Sequence, residues 1–304
     1  MKKDFVSLKA WTAQELELLF NKAEALSSSG AEPLKGKSLA LIFQKPSMRT
    51  RVSFEVGMFE LGGMAVYLGP DDIQLGVREP VGDIAEVLSR YVDGIVARTF
   101  SHRDVEVLAR HATVPVINGL SDAEHPCQAL ADLYTIRQIH GRLKGVRIAY
   151  VGDGNNVLCS LMHGAALMGA HISAATPKGY EVPPSVAEEA RAFAGKSGSK
   201  ILLSHDPKEA VKGADIVYTD VWTSMGQEKE KEKRIRDFQG FQVNEGLLAL
   251  AKPSARFMHC LPAHRGEEVS VKVLEGKKSV VLDQAENRLH VQKAILVTLL
   301  GRKI

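Results

Sequence analysis

Short apolar runs alternate with helix-period segments along almost all of the 304 residues, and no other feature constrains the fold as strongly. A strand in a sheet covered on both faces reads as a continuous apolar run, and a parallel pair needs a crossover connection, usually a helix. The run SLALIF at 38–43 has that character. The segment after it is helix-period, with Val52, Val56, Phe59 and Gly63 on one face. Strands at 64–68, 93–97 and 114–117 and helices at 81–91, 104–111 and 125–139 continue the series. A second series has strands at 146–151, 171–175, 201–203, 215–219 and 256–259, with helical segments between them. The pattern predicts an α/β protein of two doubly wound parallel-sheet domains. Glycines bracket a short basic stretch at Gly141-Arg142-Leu143-Lys144-Gly145, which puts the first domain at 1–140 and the second at 145–283. A last amphipathic helix from Gln284 to Leu300 is expected to return to the first domain, which then includes 284–304. The run Glu228-Lys229-Glu230-Lys231-Glu232-Lys233 reads as a solvated, salt-bridged helix surface.

Charge and composition exclude several classes of function. Lysine plus arginine (39) exceeds aspartate plus glutamate (36) by three, too small a surplus to point to nucleic acid. Aromatic residues are 6%, which leaves few platforms for stacking single strands. No run of about 18 apolar residues occurs, and the amino terminus lacks an apolar stretch of signal-peptide length. A soluble, cytoplasmic protein with no membrane partner is expected. Cys127, Cys159 and Cys260 are odd in number and form no CxxC pair, so reduced thiols are expected rather than disulfides or a zinc knot.

Two apparent nucleotide motifs fail on context. Gly36-Lys37-Ser38 resembles the end of a phosphate-binding loop, but the leading glycine position is Ala31 and the motif precedes its strand. Gly152-Asp153-Gly154-Asn155-Asn156-Val157 follows a strand and opens a helix, but its sixth position is Val157. The next strand ends in Ala174-Ala175-Thr176, with no acid for a ribose hydroxyl, which speaks against a nicotinamide dehydrogenase. The placement still matters, because strand-to-helix turns are where α/β sheets bind ligands.

The strongest motif is Pro46-Ser47-Met48-Arg49-Thr50-Arg51, between a strand and a helix. Ser47 can cap the helix, whose first-turn N–H groups can then face an anion. A cap alone does not explain two arginines at the positive end of a helix dipole, where cations are disfavoured. An oxyanion ligand resolves that conflict, with Arg49 as a forked donor and Thr50 as a hydroxyl. Arg98 and Thr99 sit at a strand's carboxyl end, and His125-Pro126-Cys127-Gln128 opens the long helix with proline just inside its start. In the second half, Asn156, Asp220-Val221-Trp222-Thr223-Ser224-Met225-Gly226 and His259-Cys260-Leu261-Pro262 each follow a strand. Each element alone is modest; their shared position at strand ends implies one composite cleft.

Together these residues resemble the aspartate/ornithine carbamoyltransferase family, over Phe43 to Arg288, most of the chain. Ser47-Met48-Arg49-Thr50-Arg51 is similar to the family's carbamoyl-phosphate signature, and Arg98, His125, Gln128 and Arg288 match its other positions for that substrate. The His125, Asp220 to Gly226 and His259 motifs are similar to the ornithine branch. The resemblance implies two small-molecule substrates, carbamoyl phosphate and L-ornithine. Citrulline and phosphate are then the products, and no cofactor or metal takes part. It implies that Asn156, Asp220, Ser224 and Met225 hold ornithine, and that Cys260 and Leu261 line the reacting centre beside Arg98 and His125. It further implies that Gln74 reaches a neighbouring subunit's site in a homo-oligomer, most simply a trimer. Gln44 departs from the glutamate that family members commonly carry before Lys45-Pro46.

The chemistry suits these residue types. Cationic forks can hold the phosphate, while Arg98, His125 and Thr50 polarise the carbonyl oxygen as charge develops on it. The side-chain amine attacks the carbonyl carbon, so no covalent nucleophile is needed, and holding both substrates in position can supply about 7–11 kcal/mol of the barrier reduction. Other possibilities are a carbamoyltransferase for putrescine or acetylornithine, and a non-catalytic homologue that only binds carbamoyl phosphate. The compact length leans toward arginine synthesis over degradation.

Overall fold

The computed structural model describes residues 2–224 and 226–301. It divides into two compact units, Met1–Ala131 with Glu286–Ile304, and Asp132–Ala285. The first holds four strands, β1 (Ser38–Phe43), β2 (Met64–Leu68), β3 (Gly94–Arg98) and β4 (Val116–Leu120). They pair in parallel in the order β2-β1-β3-β4. β3 is buried along its whole length, as a strand covered on both faces must be. Ala40, Ile42, Ile95, Ala97, Val105 and Leu108 form much of one core layer. β4 lies two to three residues later than expected, because Asn118 and Gly119 run inside the sheet. Asn118 is fully buried there, and its amide donates to the Val6 carbonyl at 3.1 Å.

The segment around Phe5 closes the β4 edge, with Phe5 N–H donating to Val116 O at 2.8 Å and Asn118 N–H to Phe5 O at 2.9 Å. β2, at the other edge, carries Met64 and Val66 in exposed positions. The helix Met48–Glu60 buries Thr50, Phe54, Gly57 and Met58. Its more apolar stripe lies outside: Val52, Val56 and Phe59 are exposed, Phe59 at 80%, and Gly63 falls beyond the helix. The period identified a helix with an apolar stripe but not the surface that the stripe meets. Gly57 faces the final helix, Val281–Leu300, where an added Cβ would touch Lys293 Cγ at 3.4 Å and Leu289 Cδ1 at 3.5 Å. That helix therefore returns to the first unit. The Lys293 ammonium fastens it by donating to Leu26 O at 3.1 Å and Glu60 Oε2 at 2.7 Å.

The second unit has five parallel strands, β5 (Arg147–Val151), β6 (His171–Ala175), β7 (Ile201–Ser204), β8 (Ile216–Thr219) and β9 (Arg256–His259), in the order β7-β6-β5-β8-β9. Val151, Val217, Trp222, Phe238 and Phe257 sit in its core. Buried Asp132 accepts from Tyr218 Oη at 3.1 Å and Gln284 Nε2 at 2.7 Å, and Gln284 Oε1 accepts from His259 N–H at 2.9 Å. Strand order reverses between β1 and β3 in one sheet and between β5 and β8 in the other, which makes both places natural ligand crevices. Among the described residues no helix is long and apolar enough to cross a membrane.

Gly154 explains part of the glycine motif after β5. A Cβ there would lie 2.5 Å from Glu181 C and Val182 N, and Gly154 N–H donates to Tyr180 O at 2.8 Å. The glycine is required by this backbone contact within the second unit, with no phosphate involved. Gly154→Ala is expected to lower stability by about 1–3 kcal/mol, as overpacking does; urea unfolding of the two proteins measures it.

Candidate functional site

In the first unit, the anion-binding features gather at the β1/β3 reversal. Ser47 caps Met48–Glu60, its hydroxyl accepting from Thr50 N–H at 3.3 Å, which leaves the helix's positive end facing out of the turn. Arg98 ends β3 and is 5% exposed; Arg288, from the final helix, is 3% exposed. The Arg288 guanidinium donates from Nη2 to Thr50 Oγ1 at 2.7 Å. Thr50 thus accepts from the arginine and keeps its own hydroxyl proton to donate elsewhere. His125 and Gln128, at the start of the helix Pro126–His140, are buried as well.

Burial holds the His125 imidazole well below its ordinary pKa of 6.5, and the charges of Arg288, Arg98 and Arg49 push it the same way. His125 is therefore neutral at physiological pH: it donates one N–H without adding charge. Three cations acting on one buried imidazole form a like-charge cluster that an anion relieves. Cys127 beside it is structural. Its thiol donates to Asn118 O at 3.3 Å, and burial pushes its pKa up to about 12. Gln44 bridges two turns by donating to Leu75 O at 3.2 Å and accepting from Phe100 N–H at 2.8 Å. A glutamate could make only the second of these bonds.

Gln74 follows a four-residue helix, Pro70–Ile73, that the sequence did not suggest. It is exposed and held in the left-handed region at φ 42°, a strained conformation for a residue with a Cβ. Its carbonyl accepts from Val77 and Arg78 N–H at 2.9 and 3.2 Å, which holds the turn in shape.

In the second unit, a carboxylate cluster occupies the β5/β8 reversal. Asp220, 5% exposed, accepts from its neighbour Val221 N–H at 2.8 Å, Cys260 Sγ at 2.9 Å and Asn155 Nδ2 at 2.7 Å. Asn155 also caps the helix Asn156–Leu167, accepting from Val157 N–H at 3.0 Å. Sequence reasoning chose Asn156 and missed Asn155, although an asparagine one residue before a helix start is a capping signal. Ser224 lies on the loop after β8, and Met225 lies outside the described residues. Leu261 is left-handed, at φ 58°. Its N–H donates to His259 Nδ1 at 2.8 Å, so the ring proton sits on Nε2 and points to buried Glu268 Oε1 at 3.2 Å.

Two groups of side chains have metal-ligand types, Asp220 with His259 and Cys260, and His264 with Glu267 and Glu268. Both His259 nitrogens are occupied by the contacts just described, which removes it as a ligand. Glu268 is committed to His259, and Glu267 to Lys231 at 2.9 Å.

The fold and these clusters, each at a reversal of strand order, are those of an α/β enzyme that acts on small charged molecules. The chain belongs to the aspartate/ornithine carbamoyltransferase family. That family's carbamoyl-P binding domain matches residues 3–138, and its Asp/Orn binding domain matches residues 144–299. The chain is 55% identical over 304 residues to the ornithine carbamoyltransferase of Thermococcus kodakarensis, covering 98% of this chain and 96% of that one. It is 55% identical over 299 residues to the Bacillus subtilis protein of the same name, covering 98% and 94%. The solved ornithine carbamoyltransferase of Pyrococcus furiosus superposes with a TM-score of 0.97 at 54% identity, covering 99% and 98%.

The depressed pKa of His125 has a definite sign in stability. The native imidazole resists a proton that the unfolded chain accepts near pH 6.5, so stability falls as pH drops below that value. In urea unfolding between pH 7.5 and pH 5, the native protein should lose about 1–2 kcal/mol more than His125→Gln.

Proposed function

We propose that the protein transfers the carbamoyl group of carbamoyl phosphate to the side-chain amine of L-ornithine, giving L-citrulline and phosphate in arginine biosynthesis. The observation that carries this reading is the neutral, buried His125 among Arg49, Arg98 and Arg288 beside a capped helix end. The phosphate binds Arg49 and the first-turn N–H groups of Met48–Glu60, with Gln128 and Arg288 nearby. Arg98, His125 and the Thr50 hydroxyl donate to the carbonyl oxygen, where negative charge grows in the transition state. Asp220 takes the α-amino group of ornithine, with Asn156, Ser224 and Met225 around the amino acid and Asn155 and Cys260 fixing the carboxylate. The neutral side-chain amine attacks the carbonyl carbon. The tetrahedral intermediate collapses by breaking the carbon–oxygen bond to phosphate, and the leaving phosphate takes up the amine's proton.

Two further parts of the reading concern assembly and place. The exposed stripe Val52, Val56 and Phe59 and the open β2 edge suit a contact between copies of the chain. A groove of about 660 Å³ lined by Met64, Val66, Leu88 and Tyr91 adjoins that edge. A closed ring of three copies covers such surfaces and gives the strained Gln74 turn a neighbour's carbamoyl phosphate to reach. Three free cysteines suit a reducing cytoplasm. The relative from Pyrococcus furiosus, 54% identical over 304 residues, is named as anabolic, which supports the biosynthetic direction.

A citrulline assay run in parallel with ornithine, putrescine, acetylornithine and aspartate should give product with ornithine far ahead of the others; no product with ornithine rejects the reading. Asp220→Asn should raise the ornithine KM by about tenfold or more, the worth of a charge-assisted hydrogen bond, and narrow the gap to putrescine. For the shared site, inactive Gln74→Ala and Arg49→Ala proteins are mixed and reassembled. Activity should partly return, because some interfaces unite an intact Gln74 with an intact Arg49. Hybrids as inactive as their parents would refute the sharing.

A further inference from the structure

The charge run 228–233 ends at a residue that behaves unlike its neighbours. Lys231 and Lys233 keep side chains 47% and 66% exposed, whereas Arg234 is 6% exposed. Its Nη1 donates to Asp153 Oδ2 and to Trp222 O, both at 2.9 Å, and its Nε donates to Glu230 Oε2 at 3.0 Å. The guanidinium also lies 5.0 Å over the Tyr180 ring. One planar group therefore joins three stretches of backbone: the turn after β5, the segment two residues before Ser224, and the 228–230 turn. Trp222 and Tyr180 both pack on Phe238, at 5.5 and 4.7 Å, so the arrangement has an apolar floor.

This pair is expensive to bury. Desolvation raises the Asp153 carboxyl to about 6 even though Arg234 pulls it down, and the charge of Asp220 adds to the rise. Buried ion pairs seldom add net stability over apolar residues of the same size, and their best use is to fix one conformation. The conformation at stake here is that of residues 221–224 and 226–230, the stretch that carries Ser224 and leads into the helix Lys231–Asp237. Ser224 itself is held only locally among the bonds described, its N–H donating to Gln227 Oε1 at 3.0 Å.

We propose that Arg234 and Asp153 form a buried clasp that positions the Ser224 loop, so that the pair sets affinity for the amino-acid substrate without touching it. The inference deepens the carbamoyltransfer reading and rests on it for the identity of that substrate. Arg234 is a positioning residue: its three directed N–H contacts need a fork, which a lysine ammonium does not supply.

The test uses Arg234→Gln, Arg234→Lys and the near-isosteric Asp153→Asn in the full-length protein. Each should raise the ornithine KM at least tenfold while the carbamoyl-phosphate KM stays within twofold. Arg234→Lys should fail almost as badly as Arg234→Gln, and guanidinium ion added to Arg234→Ala should lower its ornithine KM again. Hydrogen exchange of the intact protein without substrates gives a readout independent of the reaction. Amides of 221–230 should exchange at least tenfold faster in Arg234→Gln and Asp153→Asn, with those of β1 and β3 unchanged. An ornithine KM within twofold of native in Arg234→Gln, or equal rises in both KM values, overturns the clasp. So does unchanged exchange at 221–230. Faster exchange there in a protein that makes no citrulline rejects the assigned reaction and leaves the clasp standing.

Discussion

The two reversals of strand order decide where the polar residues of this chain can go. At β1/β3 and at β5/β8, neighbouring connections leave the sheet in opposite directions, so the carboxyl ends of those strands are left open. Much of what is chemically distinctive collects there. In the first unit Arg98, His125 and Arg288 are buried, with Glu124 buried next to His125 in the chain; in the second, Asp220 is a buried carboxylate, and buried Asp153 is paired with buried Arg234. The two buried arginines suit a phosphorylated donor, and the Asp220 carboxylate suits an amino-group-bearing acceptor. The inner strands β1 and β3 supply little of this chemistry along their length: they are apolar and buried up to Arg98, the last residue of β3.

Burial also sets protonation. His125 would be a pH-sensitive base in water, but desolvation and three guanidiniums hold its pKa well below the ordinary value and keep it a neutral donor at physiological pH. The His259 ring is oriented by hydrogen bonds: Leu261 N–H donates to Nδ1, and Nε2 faces the Glu268 carboxylate. Leu261 and Gln74, the described non-glycine residues with positive φ, both lie in turns that the sequence assigned to substrate. Strain of that kind persists only where neighbouring bonds over-determine the backbone, and here those bonds are seen.

The sequence made the strands legible because a covered parallel strand must be apolar throughout, and SLALIF can hardly be anything else. It made the Ser47 and Asp220 motifs legible because both follow strands. It was less informative where a polar residue is buried or an apolar one is exposed. Asn118 falls one residue past the expected strand 114–117 and lies in β4. Val52, Val56 and Phe59 marked a helix but not its outward stripe. Asn155, which caps the helix Asn156–Leu167 and holds Asp220, stands out less in the sequence than Asn156, because a cap and a substrate contact share the same residue type. Arg234 was hidden at the end of a run of lysines and glutamates, since composition cannot separate a solvated cation from one enclosed by Asp153, Trp222 and Glu230.

The outward stripe on Met48–Glu60 bears on the life of the chain before it is finished. A newly made chain carries Phe59 and the open β2 edge into a crowded solution, where any other exposed strand is a possible template. The proposed contact between copies then competes with clumping, and the outcome turns on which is faster. The helix carries its own protection: Arg51 and Glu55 form a 3.0 Å ion pair on the same surface, interleaved with Val52 and Val56. Charges of this sort act as gatekeepers, since a wrong neighbour would have to strip their water while a fitted one need not.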